Sequence, residues 1–89
     1  MAMSGMDAAV IEGVARGLRS CADRVGTVVS TVETTVAGTQ DNWWGPDAAK
    51  FAADWQSDRS LLSGLSASLM ALSNEAFSQA AEQRRASAR

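Results

Sequence analysis

Apolar residues recur through the first half of the chain at Val10, Ile11, Val14, Leu18, Cys21, Ala22, Val25, Val28, Val29, Val32 and Val36. Ile11, Leu18, Val25 and Val32 stand seven apart, with Val14, Cys21 and Val28 in the positions between, so they form a heptad stripe. The charged residues Glu12, Arg16, Arg19, Asp23 and Glu33 fall off it. This spacing predicts one long helix over about 5–40. The Val- and Thr-rich run 25–36 also has strand character, but Val28 and Val29 are adjacent and the three-four spacing continues through Val32 and Val36, which favours helix. Ser4 with Asp7 resembles a capping box and predicts a helix start within 4–7. Gly13, Gly17 and Gly26 each cost about 1 kcal/mol relative to Ala inside a helix. The first helix is therefore expected to depend on packing, with close backbone approach at the glycines.

The pattern resumes after residue 46 with larger side chains. Ala48, Trp55, Leu62, Leu69 and Ala76 are seven apart, and Phe51, Leu65 and Leu72 occupy the interleaved row. Asp58 interrupts that second row and is expected at the edge of the seam, facing a base such as Arg24 or Arg59. Leu61 and Phe77 widen the stripe, as in a bundle helix rather than a narrow two-stranded coil. A second helix over about 46–83 follows, then a basic tail, 84–89. Its arginines either complement the negative end of the helix dipole or form a flexible recognition tail.

Between the two helices lies Asn42-Trp43-Trp44-Gly45-Pro46-Asp47, which holds the only Pro and two of the three Trp. Gly tolerates φ > 0 and Pro cannot continue a helix, yet Pro suits the first position of a new one. Asp47 would meet the positive end of that helix. The stretch 41–47 thus reads as the turn of a hairpin, a single all-α domain of two long antiparallel helices. At 1.5 Å per residue, helices of about 33–38 residues span about 50–57 Å.

A pair of helices can cover only one face of each other. With 89 residues, a single Cys and no His, the chain has neither an internal disulfide nor a zinc cluster to compensate, so no metal or other cofactor is expected. Oligomerisation is the remaining route to a sufficient core, with the hairpin dimerising into a four-helix bundle. The expected core or dimer seam is Ile11, Leu18, Val25, Val32, Phe51, Trp55, Leu62, Leu65, Leu69 and Leu72, with Cys21 a small buried hydrophobe on it. A net charge of −2 argues against nucleic acid. No apolar run reaches the roughly 18 residues that span a bilayer, the helices lack the Lys/Arg-rich face of membrane-surface helices, and the N-terminus has no secretory signal pattern. Scattered acids, such as Asp54 and Asp58 four apart, and a Cys with no evident base give no catalytic constellation, so no enzyme is expected.

Trp43-Trp44-Gly45 between two heptad segments, followed by Ala48, Phe51 and Trp55, resembles the WXG family. These are the ESAT-like small substrates of type VII secretion, and the string WWGPDAAKFAADW looks most like actinobacterial members. The resemblance spans essentially the whole chain. It implies a hairpin that dimerises antiparallel, with itself or with another WXG-type chain, and is exported folded from the cytoplasm without a Sec signal peptide. It also implies recognition by the secretion system's membrane ATPase at a composite surface, the WXG turn of one subunit beside the C-terminal signal of the other. Trp43 and Gly45 carry over as recognition residues, with Trp44 at the variable position. Trp43 also suits a hydrophobic plug for the hairpin, and one of the two adjacent indoles is expected to stay exposed. The family's tail signal is a Tyr followed four residues later by Asp or Glu. This chain has no Tyr; Phe77 is the nearest aromatic, followed at that spacing by Ala81, with Glu82 one position late. The tail signal is therefore degenerate, absent or supplied by a partner. The alternative reading is an intracellular adaptor that uses the same bundle and is never exported.

Overall fold

The computed structural model describes residues 7–39 and 42–88. They form two α-helices, α1 (Ala8–Thr39) and α2 (Pro46–Ser87), packed along each other as an antiparallel hairpin. The rod measures 67 × 16 × 13 Å in its principal extents. The fold is all-helical among the described residues, as the heptad spacing predicts.

The helix starts have different local causes. Asp7 caps α1 itself: its Oδ1 accepts from the Ala9 N–H at 2.7 Å, and its carbonyl accepts from Val10 and Ile11. The expected cap at Ser4 lies outside the described residues. Gly45 (φ 102°) reverses the chain in the left-handed region that glycine tolerates, its carbonyl accepts from Ala49, and Pro46 opens α2 with Asp47 in the first turn. In the Thr-rich part of α1, Thr27, Thr34 and Thr35 donate their hydroxyls to the carbonyls four residues back, at 2.9–3.0 Å, so these side chains are satisfied within the helix. At its far end α2 outlasts the expected boundary near 83. Residues 84–87 are helical and not a tail, because Arg84 reaches across to α1 and is held by Glu12.

The interior differs from the expected seam in a systematic way. Ile11, Leu18, Val25 and Val32 on α1, and Ala48, Leu62, Leu69 and Ala76 on α2, are half-buried along the line of contact, with Trp55 buried among them. The second inward row is not Val14, Cys21 and Val28 but Ala15, Ala22, Val29 and Val36. On α2 it is not Phe51, Leu65 and Leu72 but Ala52, Ser66, Ser73 and Ala80. The most buried side chains are therefore small: Ala15 and Ser73 are wholly enclosed, and Ala22 and Ala80 nearly so. Small residues let helix axes approach to the near end of the usual 8–10 Å range. Close approach in turn lets the Ser73 hydroxyl donate to the Ala15 carbonyl at 2.7 Å and Ser66 to the Ala22 carbonyl at 2.9 Å. The two bonds lie seven residues apart on each helix and define an antiparallel register in which paired numbers sum to 88.

The close approach does not occur at the glycines. A Cβ at Gly17 or Gly26 would meet nothing within 4 Å, and at Gly13 only the far end of Arg16, at 3.9 Å. Alanine and serine bring the helices together instead.

Candidate functional site

Two surfaces stand out: the tip, where the chain turns, and one long side of the rod. At the tip Trp43 leans on Phe51, the ring centroids 5.4 Å apart and the planes inclined by 53°. This tilted pairing is favourable for aromatic rings. Trp43 thereby loses more than half of its surface, whereas Trp44 keeps 78% of its own. One indole closes the end of the hairpin and the other stands in water. Just inside the tip, the Trp55 indole N–H donates to the Glu33 carboxylate at 2.7 Å, and the Arg59 guanidinium nitrogen lies 3.2 Å from the same oxygen. A buried indole thus has its one donor satisfied across the hairpin, which ties the base of the turn to the long helices.

Along the rod the two broad sides differ. Val14 and Leu72 flank a groove between the helices together with Ile11, Leu18, Ala76, Glu75 and Gln79. Seven-residue spacing carries this side down the rod: Val14, Cys21 and Val28 on α1, and Leu72, Leu65, Asp58 and Phe51 on α2. Val14, Val28, Phe51, Leu65 and Leu72 each remain 44–53% exposed, and Leu61, beside the row, is 71% exposed. Cys21 is exposed here and not buried, because the inward position of its turn is taken by Ala22. Soluble single chains rarely leave so continuous an apolar strip in water.

The opposite side is polar and internally paired. Arg84 forms a two-pronged contact with Glu12, at 2.6 and 3.2 Å, the Arg19 guanidinium sits 5.5 Å from the centre of the Phe77 ring, and Arg59 meets Glu33. The hydrogen bond from Arg84 holds the Glu12 carboxyl below the ordinary value for a glutamate and raises Arg84 in return. On α2 the hydrogen bond between Lys50 and Asp54 raises the lysine. Arg59 is therefore committed to Glu33 and not to Asp58. Asp58 and Glu75, both on the apolar side, make no ion pair among the described residues.

The structure brings Trp43, Trp44, Gly45 and Phe51 together at the tip and leaves Phe77 far along α2, half-buried under Arg19. Of the expected seam, Ile11, Leu18, Val25, Val32, Trp55, Leu62 and Leu69 line the hairpin's own interior, whereas Phe51, Leu65 and Leu72 face outward. The partners missed from sequence are Glu33 for Trp55 and the Ser66 and Ser73 hydroxyls. The serines stand seven apart in phase with Ala52 and Ala80, a small-residue heptad that was there to be read. Among the described residues no cluster of acids and cysteine is placed to hold a metal ion, and no helix is long and apolar enough to cross a membrane. Comparison with protein-family models, with curated proteins and with solved structures gives no match.

Proposed function

We propose that this chain is a non-catalytic subunit of a helical-hairpin dimer of the WXG type, exported folded by a type VII secretion system. The apolar side of the rod packs against a second hairpin to complete a four-helix bundle. The tip carrying Trp43, Trp44 and Gly45 is offered to the system's membrane ATPase. The observation that carries this reading is the tip itself. A bulky indole, Trp44, is held out at 78% exposure next to a glycine with φ 102°, while its neighbour Trp43 is anchored on Phe51. An exposed indole has no role in the hairpin's own packing, and tryptophan is a favoured anchor at protein interfaces. The absence of Tyr, and the engagement of Phe77 on α2 by Arg19 of α1, support a division of labour in which the other subunit supplies the C-terminal half of the signal.

The test is export from a host with an active type VII system and the partner subunit present. Trp43→Ala and Trp44→Ala should each cut secretion several-fold while circular dichroism shows the helix content kept. Secretion of both variants at the wild-type level would leave the tip a purely structural turn and favour an adaptor that is never exported.

A further inference from the structure

Trp43 rests on Phe51, and Phe51 belongs to the opening turns of α2. Those turns start weakly. Gly45 stands at the cap position with no side chain to accept from the free N–H groups that open a helix. The residues they turn toward α1 are Ala48 and Ala52, both half-buried, whose methyl groups remove little apolar area from water.

The first polar tie from these turns to α1 comes at Trp55, one helical turn beyond Phe51. Glu33 stands level with Trp55 in the register in which paired numbers sum to 88. One oxygen of its carboxylate takes the indole N–H at 2.7 Å and lies 3.2 Å from the Arg59 guanidinium nitrogen. Among the described residues the next hydrogen bond between the helices, Ser66 to Ala22, is eleven residues of α2 farther from the tip, about 16 Å along the rod. The indole of Trp55 is buried and has a single donor. Without the carboxylate that donor is left in an apolar seam, and it regains a partner only by turning toward water. Such a movement shifts α2 where Phe51 lies, because residues four apart are neighbours on one helix face.

We propose that Glu33, ten residues ahead of Trp43 in the chain, is a positioning residue for the tip. Through Trp55 it fixes the opening turns of α2, so that Trp43 stays seated on Phe51 and Trp44 is presented in one orientation. The inference rests on the reading of the tip as a recognition surface and adds to it a residue outside the turn. A side chain already held in its docking orientation loses less freedom on binding, which raises affinity without any new contact.

The test pairs export, with the partner subunit present, with nuclear magnetic resonance of the full chain. Its indole N–H signals are assigned with Trp43→Phe and Trp44→Phe. In Glu33→Leu the Trp55 indole N–H should exchange faster with water and the nuclear Overhauser contacts between the Trp43 and Phe51 rings should weaken. Secretion should fall several-fold while circular dichroism shows the helix content kept. Glu33→Gln, whose amide oxygen still accepts from the indole, should keep both the ring contact and secretion near wild type, which separates the hydrogen bond from the ion pair with Arg59. Should Glu33→Leu fail to fold, Trp55→Phe removes the same tie without leaving an unmet donor, and carries the same expectations for the ring contact and for secretion. The proposal is overturned if the variant that lacks the tie keeps the Trp43–Phe51 contact or secretes at the wild-type level, or if Glu33→Gln behaves as Glu33→Leu does. Secretion of Trp44→Ala at the wild-type level would overturn the tip reading and this inference with it. Reduced secretion of Trp44→Ala beside undiminished secretion of Glu33→Leu overturns this inference alone.

Discussion

Between the helices, Ala15, Ala22, Ser66, Ser73 and Ala80 meet at short range, and two serine hydroxyls are spent on backbone carbonyls. A quarter-turn away, Val14, Val28, Phe51, Leu65 and Leu72 present larger apolar side chains to water. Hydrophobic burial scales with apolar area, about 25 cal/mol per Å², so a hairpin built to be stable alone would put the large side chains inside. The inner seam follows that rule with Ile11, Leu18, Val25, Val32, Trp55, Leu62 and Leu69, whereas the outer row Val14, Val28, Phe51, Leu65 and Leu72 does not. The inner one is narrow and fixes register through Ser73–Ala15 and Ser66–Ala22. The outer one leaves Val14, Val28, Phe51, Leu65 and Leu72 44–53% exposed.

The largest effect is expected at Ser73, inside the narrow seam. Ser73→Leu forces a branched side chain into a wholly enclosed site and removes a register bond, so the hairpin should lose about 1–3 kcal/mol or more. Chemical denaturation of the variant would read this as a lower midpoint; an unchanged midpoint would mean that the inner seam is looser than described. Gly17→Ala sharpens the other side of the argument. A Cβ there meets nothing within 4 Å, so the substitution should stabilise by about 0.5–1 kcal/mol through helix propensity alone. Destabilisation would instead place the helix contact at the glycines.

The smallest effect belongs to the exposed polar side. Glu12 is held below its ordinary pKa by the hydrogen bond from Arg84, so its folded value lies below its unfolded one. Its contribution is present above the ordinary carboxylate pKa and is lost as pH falls through the folded value. Glu12→Gln should therefore flatten the acid-side fall in melting temperature slightly and leave neutral stability little changed, as expected of a solvent-exposed pair. Thermal melts from neutral to acid pH check the sign; a variant that steepens the acid-side fall would contradict it.

The number of helices and the place of the turn were legible in the chain. Three-four spacing persists through Val36, and Gly45-Pro46 can neither continue one helix nor fail to start another. The row Ile11, Leu18, Val25, Val32 and its partner Ala48, Trp55, Leu62, Leu69, Ala76 were legible for the same reason. The second row was misplaced because a stripe drawn by hydrophobic size passes through Val14, Cys21, Leu65 and Leu72 and skips Ala15, Ala22, Ser66 and Ser73. Serine reads as polar until a carbonyl of the other helix comes within 3 Å, and that partner is 44 or 58 residues away. The extension of α2 to Ser87 depends likewise on a pairing 72 residues distant, Arg84 with Glu12. The tip was legible as a turn with one free indole. That Trp43, and not Trp44, is the anchored one follows from where Phe51 sits on the first turns of α2.

On the proposed function, the outward row serves association and not the hairpin's own fold. Sedimentation equilibrium of wild type and Leu65→Asp, up to the solubility limit and paired with circular dichroism, tests it most directly. The wild-type weight-average mass should rise above 9.3 kDa with concentration, while Leu65→Asp, with Leu65 already 48% exposed, should keep its helix content and stay at the single-chain mass. Loss of helix in Leu65→Asp without any change in assembly, or the same mass curve for both proteins, would contradict the account.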